Sequence, residues 1–98
     1  MTRVVQKKGE TKAYVCVVAD YKKDDKWHQV VLMSGGVESP VNRARALTAS
    51  VLLDLLDAEL RAAPAAAHRA ELEREVVRLI GADAVLKLRK LIAGGGNA

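Results

Sequence analysis

Residues 34–40 read SGGVESP, and this turn-rich segment separates two parts of the chain that follow different patterns. Residues 1–33 contain short valine-rich runs, which are typical of β-strands. Residues 41–93 carry apolar residues at the three- and four-residue spacing of helices. Neither part is large enough to bury an apolar face alone. We therefore expect a single α+β domain over residues 1–98, with 34–40 as a linker turn and 94–98 as a flexible tail.

The first part predicts a three-stranded antiparallel β-meander. Its strands are expected at residues 3–7, 12–21 and 27–33, where valine-rich runs are bounded by polar turn sequences. The connecting loops, at 9–11 and 22–26, have lengths that are common in hairpins.

The pairing of the last two strands decides which side chains share a face. If Tyr21 pairs with Trp27, alternation puts one set of apolar residues on one face: Val15, Val17, Ala19, Val31 and Met33. The other face then carries Tyr14, Cys16, Val18, Val30 and Leu32. Both faces are largely apolar, so we expect a helix, a dimer partner or another protein to cover the second face.

The second part predicts two or three helices, which makes the element order β-β-β-α-α-α. Ser-Pro at 39–40 supplies an N-cap residue and a first helical residue for a helix that runs toward residue 63. Pro64 is expected either to end that helix or to kink it. Further helices are expected at 65–80, ended by a glycine, and at 83–93. The last of these directs three basic side chains outward: Lys87, Arg89 and Lys90.

The first helix has an unusually wide apolar arc. Residues plotted at about 100° intervals leave only a narrow polar strip, made of Arg43, Ser50, Asp54, Asp57 and Arg61. A wide arc needs two neighbours, and the sheet is expected to be one of them. The second is another helix of this chain or the same helix of a second copy. We therefore expect a homodimer, with an interface formed by Val51, Leu52, Leu55, Leu56 and Leu60.

The composition argues against several classes of function for this chain, including membrane insertion and binding by aromatic stacking. The chain has 98 residues, a net charge of +4 and only 3% aromatic residues with no Phe, so stacking platforms for bases or sugars are scarce. Its longest uncharged run, residues 27–37, is well short of the roughly 18 residues that span a bilayer, so no membrane insertion is expected. No secretory signal is visible, and the single cysteine agrees with a reducing compartment. We expect a cytoplasmic protein.

The sequence does not predict a catalytic or metal site. Cys16 and His28 lie on adjacent predicted strands and on the same face, but roughly 13 Å apart in the predicted register. The two histidines and one cysteine form no close cluster of metal ligands. Three strands followed by a long helix resemble the opening of the ribonuclease H fold, yet residues 42–45 read NRAR where that family places a metal-binding carboxylate. We expect no enzyme activity, no cofactor and no small-molecule substrate.

We therefore predict a small interaction or regulatory protein that binds a macromolecular partner. Small proteins without a catalytic constellation are often inhibitors of a larger protein or nucleoprotein complex, including those encoded by phages and mobile elements. Excess apolar surface on the sheet and the first helix favours a protein partner.

The alternative is a basic domain that binds DNA or RNA through the N-terminal sheet. Residues 3–60 are similar to the arm-type DNA-binding domain of integrases, in which a basic three-stranded sheet enters the major groove and a helix packs behind it. The predicted contacts to nucleic acid, or to an acidic partner, are Arg3, Lys7, Lys8, Lys12, Lys22, Lys23, Lys26, Arg43 and Arg45.

Overall fold

The computed structural model describes residues 2–62 and 66–94. Three strands are followed by three helices: β1 (Thr2–Lys8), β2 (Ala13–Lys23), β3 (Lys26–Gly36), α1 (Pro40–Arg61), α2 (Ala66–Ile80) and α3 (Ala82–Ala93). The strands form one antiparallel sheet in the order β1-β2-β3. The predicted α+β fold and element order are confirmed. The predictions for Pro64 and for 95–98 lie outside the described residues.

The hairpin between β2 and β3 is tighter than the sequence predicts. Lys23 pairs with Lys26, so the connection is a two-residue turn and not a five-residue loop. Asp24 and Asp25 have φ angles of 53° and 62°, the left-handed conformation that a type I′ turn requires at both positions. Aspartate tolerates this conformation better than most side chains. Both strands therefore continue to the tip.

The predicted register of this hairpin is wrong by one residue, and a β-bulge adds a second shift. Tyr21 pairs with His28 and not with Trp27. Further along, Val17 pairs with Met33 while Val18 pairs with Val31, which leaves Leu32 without a partner. Both Leu32 and Met33 consequently reach the core. Val30 joins the core face and Val31 moves to the opposite face, the reverse of the prediction.

Helices cover one face of the sheet. Helix α1 packs across all three strands, α3 packs beside β3, and α2 packs against α1 and α3. The core lies between these layers and contains Val15, Val17, Ala19, Leu32, Met33, Ala46, Ala49, Leu53, Leu56, Leu72, Val76, Ala84, Val85 and Leu88. The thinnest dimension of the molecule is 16 Å, as expected for one helical layer on one sheet.

The connection into α1 is short and closely packed. Strand β3 continues through Gly36, so only residues 37–39 remain of the predicted linker turn. The Asn42 side-chain amide donates a hydrogen bond to the Gly36 carbonyl at 2.9 Å. A Cβ atom on Gly35 would lie 2.7 Å from the Asn42 side chain, so glycine permits this approach. Ser39 holds the N-cap position without a side-chain hydrogen bond.

A single glycine separates α2 from α3. Gly81 has a φ of 94°, in the left-handed region that favours glycine. Its N–H donates to the Val77 carbonyl at 2.8 Å and closes α2 where the sequence predicts. The turn directs α3 to its place beside β3.

The polar strip of α1 faces strand β1. The Thr2 N–H donates to Asp54 Oδ1 at 2.6 Å, and Thr2 Oγ1 donates to the Ser50 carbonyl at 3.0 Å. Thr2 is itself buried. These bonds attach the edge of the sheet to α1, and they turn part of the wide apolar arc away from the rest of the chain.

Candidate functional site

An exposed apolar stripe runs along α1 on the side opposite the core. Its members are uncharged, exposed and spaced three or four residues apart: Val41, Ala44, Leu47, Thr48, Val51, Leu55 and Ala58. We call this set the α1 stripe. Its four large side chains are 51–61% exposed, with Leu55 at 51% and Val51 at 61%. A helix of a folded protein ordinarily keeps its apolar residues on the core side.

The predicted dimer interface divides between this stripe and the core. Val51 and Leu55 belong to the α1 stripe. Leu56 is fully buried inside the chain, so it is not available to a partner. Leu52 and Leu60 are partly buried and pack against the core. The prediction omitted Val41 and Leu47, which the three- and four-residue spacing back from Val51 would have identified.

The α1 stripe is flanked by charges that change sign along the helix. The first half of α1 carries two exposed basic residues, Arg43 and Arg45. The second half carries Asp54, Asp57 and Glu59, and it ends at Arg61. The helix therefore has a basic first half and a mainly acidic second half, in which Asp54 and Asp57 are engaged by Thr2 and Arg61.

The sheet face that no described helix covers is called the open face. By strand register it carries Arg3, Val5, Lys7, Tyr14, Cys16, Val18, Asp20, Lys22, Trp27, Gln29, Val31 and Ser34. Its central valine, Val18, is nevertheless 0% exposed, and Cys16 is 3% exposed. The sequence predicted a helix, a dimer partner or another protein on this face. None of the described helices packs on it, and the middle strand is buried even so.

Two polar pairs on this face join residues of different strands. Lys7 Nζ on β1 donates to Gln29 Oε1 on β3 at 2.5 Å, so this bond crosses above β2. Arg3 Nε donates to Asp20 Oδ2 at 2.7 Å. The hydrogen bond from the Arg3 guanidinium holds the pKa of the Asp20 carboxyl below its ordinary value, and the same pair raises the pKa of Arg3.

The predicted basic contacts are spread over several surfaces. Arg3, Lys7 and Lys22 lie on the open face, whereas Lys8, Lys23 and Lys26 lie by register on the helix-covered side. Lys12 lies in the β1–β2 loop, 4.0 Å from a Glu38 carboxylate oxygen. Arg43 and Arg45 are exposed on α1. The structure therefore does not place these nine residues on a single basic sheet face.

Aromatic and basic side chains meet at residues 21–28, which we call the hairpin end. Trp27 is 71% exposed, and Lys22 Nζ lies 6.0 Å from the centroid of its ring. On the opposite side of the hairpin the rings of Tyr21 and His28 stack, with centroids 5.2 Å apart.

A groove of about 250 Å³ lies between the hairpin end and α3. Tyr21, Val30 and Leu91 form its apolar walls, and it also contains three lysines: Lys23, Lys87 and Lys90. Sequence reasoning missed Lys87 and Lys90, because nothing local indicates that the third helix lies beside this hairpin.

The catalytic and metal candidates remain apart. Cys16 is buried on the open face, and its Sγ donates a weak hydrogen bond to Ser34 Oγ at 3.6 Å. His28 lies on the other face, so the predicted shared face is wrong. His68 Nδ1 lies 2.8 Å from Glu59 Oε1 in an exposed pair. Within residues 2–62 and 66–94, no three His, Cys, Asp or Glu side chains group to hold a metal ion.

None of the helices in the described ranges is long and apolar enough to cross a membrane. Comparisons with protein-family models, with curated proteins and with solved structures found no match for this chain. The candidate functional sites of the described chain are its two exposed surfaces, the α1 stripe and the hairpin end.

Proposed function

We propose that the protein is a small non-catalytic interaction protein that acts as a homodimer, with the α1 stripe as the dimer interface. The observation that carries this proposal is the exposure of four large apolar side chains, Val41, Leu47, Val51 and Leu55, on the side of α1 opposite the core. Monomeric soluble proteins rarely expose contiguous apolar patches of this kind unless the patch binds something.

The length and composition of the α1 stripe suit helix-to-helix packing. From Val41 to Ala58 the stripe extends roughly 26 Å at about 1.5 Å per residue. Its small members, Ala44 and Ala58, lie toward its two ends, where they let a second helix approach closely. A stripe without charged residues has no desolvation penalty for ionic groups at its centre.

The flanking charges favour a second copy of this chain as the occupant. In an antiparallel pair of α1 helices, Arg45 near the start of one helix approaches Glu59 near the end of the other, which carries the opposite charge. A parallel pair would place like charges together. The antiparallel arrangement is self-complementary, as a two-fold symmetric interface requires.

A dimer formed in this way leaves the rest of the molecule free for a macromolecular partner. The α1 stripe points away from the sheet, so neither the open face nor the hairpin end takes part in the interface. The regulatory action predicted from the sequence would then use those surfaces, with two copies of each per dimer.

The test is sedimentation of the wild type and of Leu55→Asp over protein concentrations from 1 to 100 µM. We expect a dimer for the wild type and at least about a 30-fold weaker dimer for the variant, because a carboxylate would be buried at the centre of the interface. Leu86→Asp is the matched control, since Leu86 is 57% exposed on α3 and outside the stripe.

Circular dichroism shows whether both variants keep the fold. The proposal fails if the wild type is monomeric throughout this range, or if both substitutions leave the dimer equally stable. An unfolded Leu55→Asp variant would be replaced by Val51→Asp, at the most exposed position of the stripe.

A further inference from the structure

The few aromatic side chains of this protein are concentrated at one place. The chain has one Trp, two Tyr and no Phe, and Trp27 and Tyr21 both lie at the hairpin end. Burial of a tryptophan is a large stabilising contribution in a small protein. Trp27 makes no such contribution, because 71% of it remains exposed beside the fully polar tip of the hairpin. An exposed ring at this position is available to stack on a ligand.

Lysines from two distant parts of the sequence converge beside Tyr21, on the side of the hairpin opposite Trp27. Lys23 belongs to β2, whereas Lys87 and Lys90 belong to α3, and all three line the same groove. No carboxylate lines the groove within the described part of the chain. Lys87 is held in place by Asp83 Oδ2 at 3.0 Å and by the Val31 carbonyl at 3.2 Å. In the described ranges, Lys23 and Lys90 form no ion pair.

The nearby carboxylates are mostly engaged. A small cleft of about 30 Å³ beside Tyr21 contains Asp20, Asp54 and Asp57. These accept hydrogen bonds from Arg3, from the Thr2 N–H and from Arg61, respectively. Asp24 and Asp25 form the hairpin turn and are the negative charges that oppose an anion at this site.

We infer that the hairpin end binds single-stranded nucleic acid that passes around the edge strand β3. Phosphates lie against the lysines of the groove on one side, and a base stacks on Trp27, beside Lys22, on the other. Exposed rings next to lysines are the usual means of binding unpaired bases and their backbone. The groove, at about 250 Å³, is smaller than the 300–1,000 Å³ typical of enclosed ligand sites. We therefore assign the groove to a phosphate of the strand and not to a whole enclosed ligand. This site is separate from the α1 stripe and does not depend on the proposed dimer.

The primary experiment titrates the full chain with fluorescein-labelled dT12 and U12 at 50 and 200 mM salt. We expect anisotropy to show binding that weakens several-fold between these salt concentrations, because lysine–phosphate contacts release counterions. Trp27 is the only tryptophan, so quenching of its fluorescence by unlabelled oligonucleotide reports stacking directly. The two oligonucleotides distinguish DNA from RNA as the source of the same chemistry.

Two double charge reversals separate a local site from the effect of net charge. Lys23→Glu/Lys90→Glu should weaken binding at least tenfold. Lys8→Glu/Lys12→Glu changes the net charge equally at the opposite end of the sheet, where Lys8 pairs with Ala13, and should weaken binding less than threefold. Trp27→Ala should weaken binding about tenfold through the loss of base stacking.

The inference is overturned by an absence of binding to both oligonucleotides, by equal losses in the two double variants, or by tighter binding to a duplex without tryptophan quenching. Asp24→Asn/Asp25→Asn provides a variant that should gain affinity, since asparagine keeps the left-handed turn and removes two negative charges. A loss of affinity in this variant, with the fold intact, would also count against the site.

Discussion

The open face of the sheet and the α1 stripe are both apolar surfaces on the outside of the core, yet their apolar side chains differ in solvent exposure. On the open face, Val18 is 0% exposed, and a hydrogen bond between Lys7 and Gln29 joins the two outer strands across this face. On the α1 stripe, Val51 is 61% exposed. The sheet shields its own valines, whereas the helix leaves its valines and leucines uncovered.

The geometry of the two elements explains this difference. A sheet has neighbouring strands on both sides of its centre, so long side chains from β1 and β3 can meet above β2. A single helix on the surface has no such neighbours along its outer side. Apolar residues there remain exposed until another molecule covers them. The open face is therefore buried within one chain, whereas the α1 stripe is the surface that we propose a second copy covers.

The largest effect on the dimer is expected when long, charged side chains are placed on the α1 stripe. Val51→Glu/Leu55→Lys places an oppositely charged pair four residues apart, in the order that stabilises a helix. We expect a folded monomer, with the dimer weakened at least about 100-fold in sedimentation. Arg74→Glu/Arg78→Lys places the same pair on α2 and should leave the dimer intact. If Val51→Glu/Leu55→Lys forms a dimer as stable as that of the wild type, the α1 stripe is not the dimer interface.

The next effect concerns the stability of the fold. Val18→Ala should lower the free energy of unfolding by about 2 kcal/mol, because Val18 is fully buried although no helix covers it. Val41→Ala, at a stripe residue that is 58% exposed, should change it by less than about 0.5 kcal/mol. Urea denaturation in the monomeric double-variant background measures both. Similar losses of unfolding free energy at Val18 and Val41 would contradict the expected difference between the open face and the α1 stripe.

A smaller effect tests the cover on the open face directly. Cys16 is the only cysteine of the chain, so its reaction with a thiol reagent reports a single site. Lys7→Ala removes the bond that crosses β2 and should speed this reaction several-fold. Lys8→Ala, on the other face of β1, is the control. An unchanged rate in Lys7→Ala would mean that Lys7 does not shield the cysteine.

The smallest effect comes from the Arg3–Asp20 pair. Because the pKa of Asp20 is lowered from its ordinary value of 3.8, the pair stabilises the folded state above that pH and loses its effect as the pH falls through the lower folded-state pKa. Asp20→Asn should therefore be slightly less stable than the wild type at pH 7 and equally stable near pH 2. Urea denaturation at both pH values is the measurement. A difference that grows in acid has the wrong sign for this pair.

Much of the fold could be predicted because it depends on local patterns. Valine-rich runs predicted the three strands, and Ser39-Pro40 and Gly81 marked helix boundaries that the structure confirms. The hairpin was predicted less well. The left-handed conformation of Asp24 and Asp25, and the bulge at Leu32, are selected by strand twist and core packing, which the alternation of residues does not reveal.

The candidate sites could be predicted only in part, for a related reason. The wide apolar arc indicated that α1 has two neighbours. It did not distinguish Leu55 from Leu56, because the two are the same residue type at adjacent positions. One is 51% exposed and the other is fully buried. The bonds from Thr2 to Ser50 and Asp54 set the rotation of the helix, and they join residues about fifty positions apart in the sequence.

The sequence by itself determined the elements and their order, because hydrophobic periodicity and turn residues act over a few neighbouring positions. The tertiary structure decided which apolar side of α1 is buried, which valines of β3 face the core, and that Lys23 meets Lys87 and Lys90 in one groove. Each of these depends on how whole elements rotate and pack to fill a common core. That packing depends on contacts between residues far apart in the chain. Local sequence patterns therefore do not predict it.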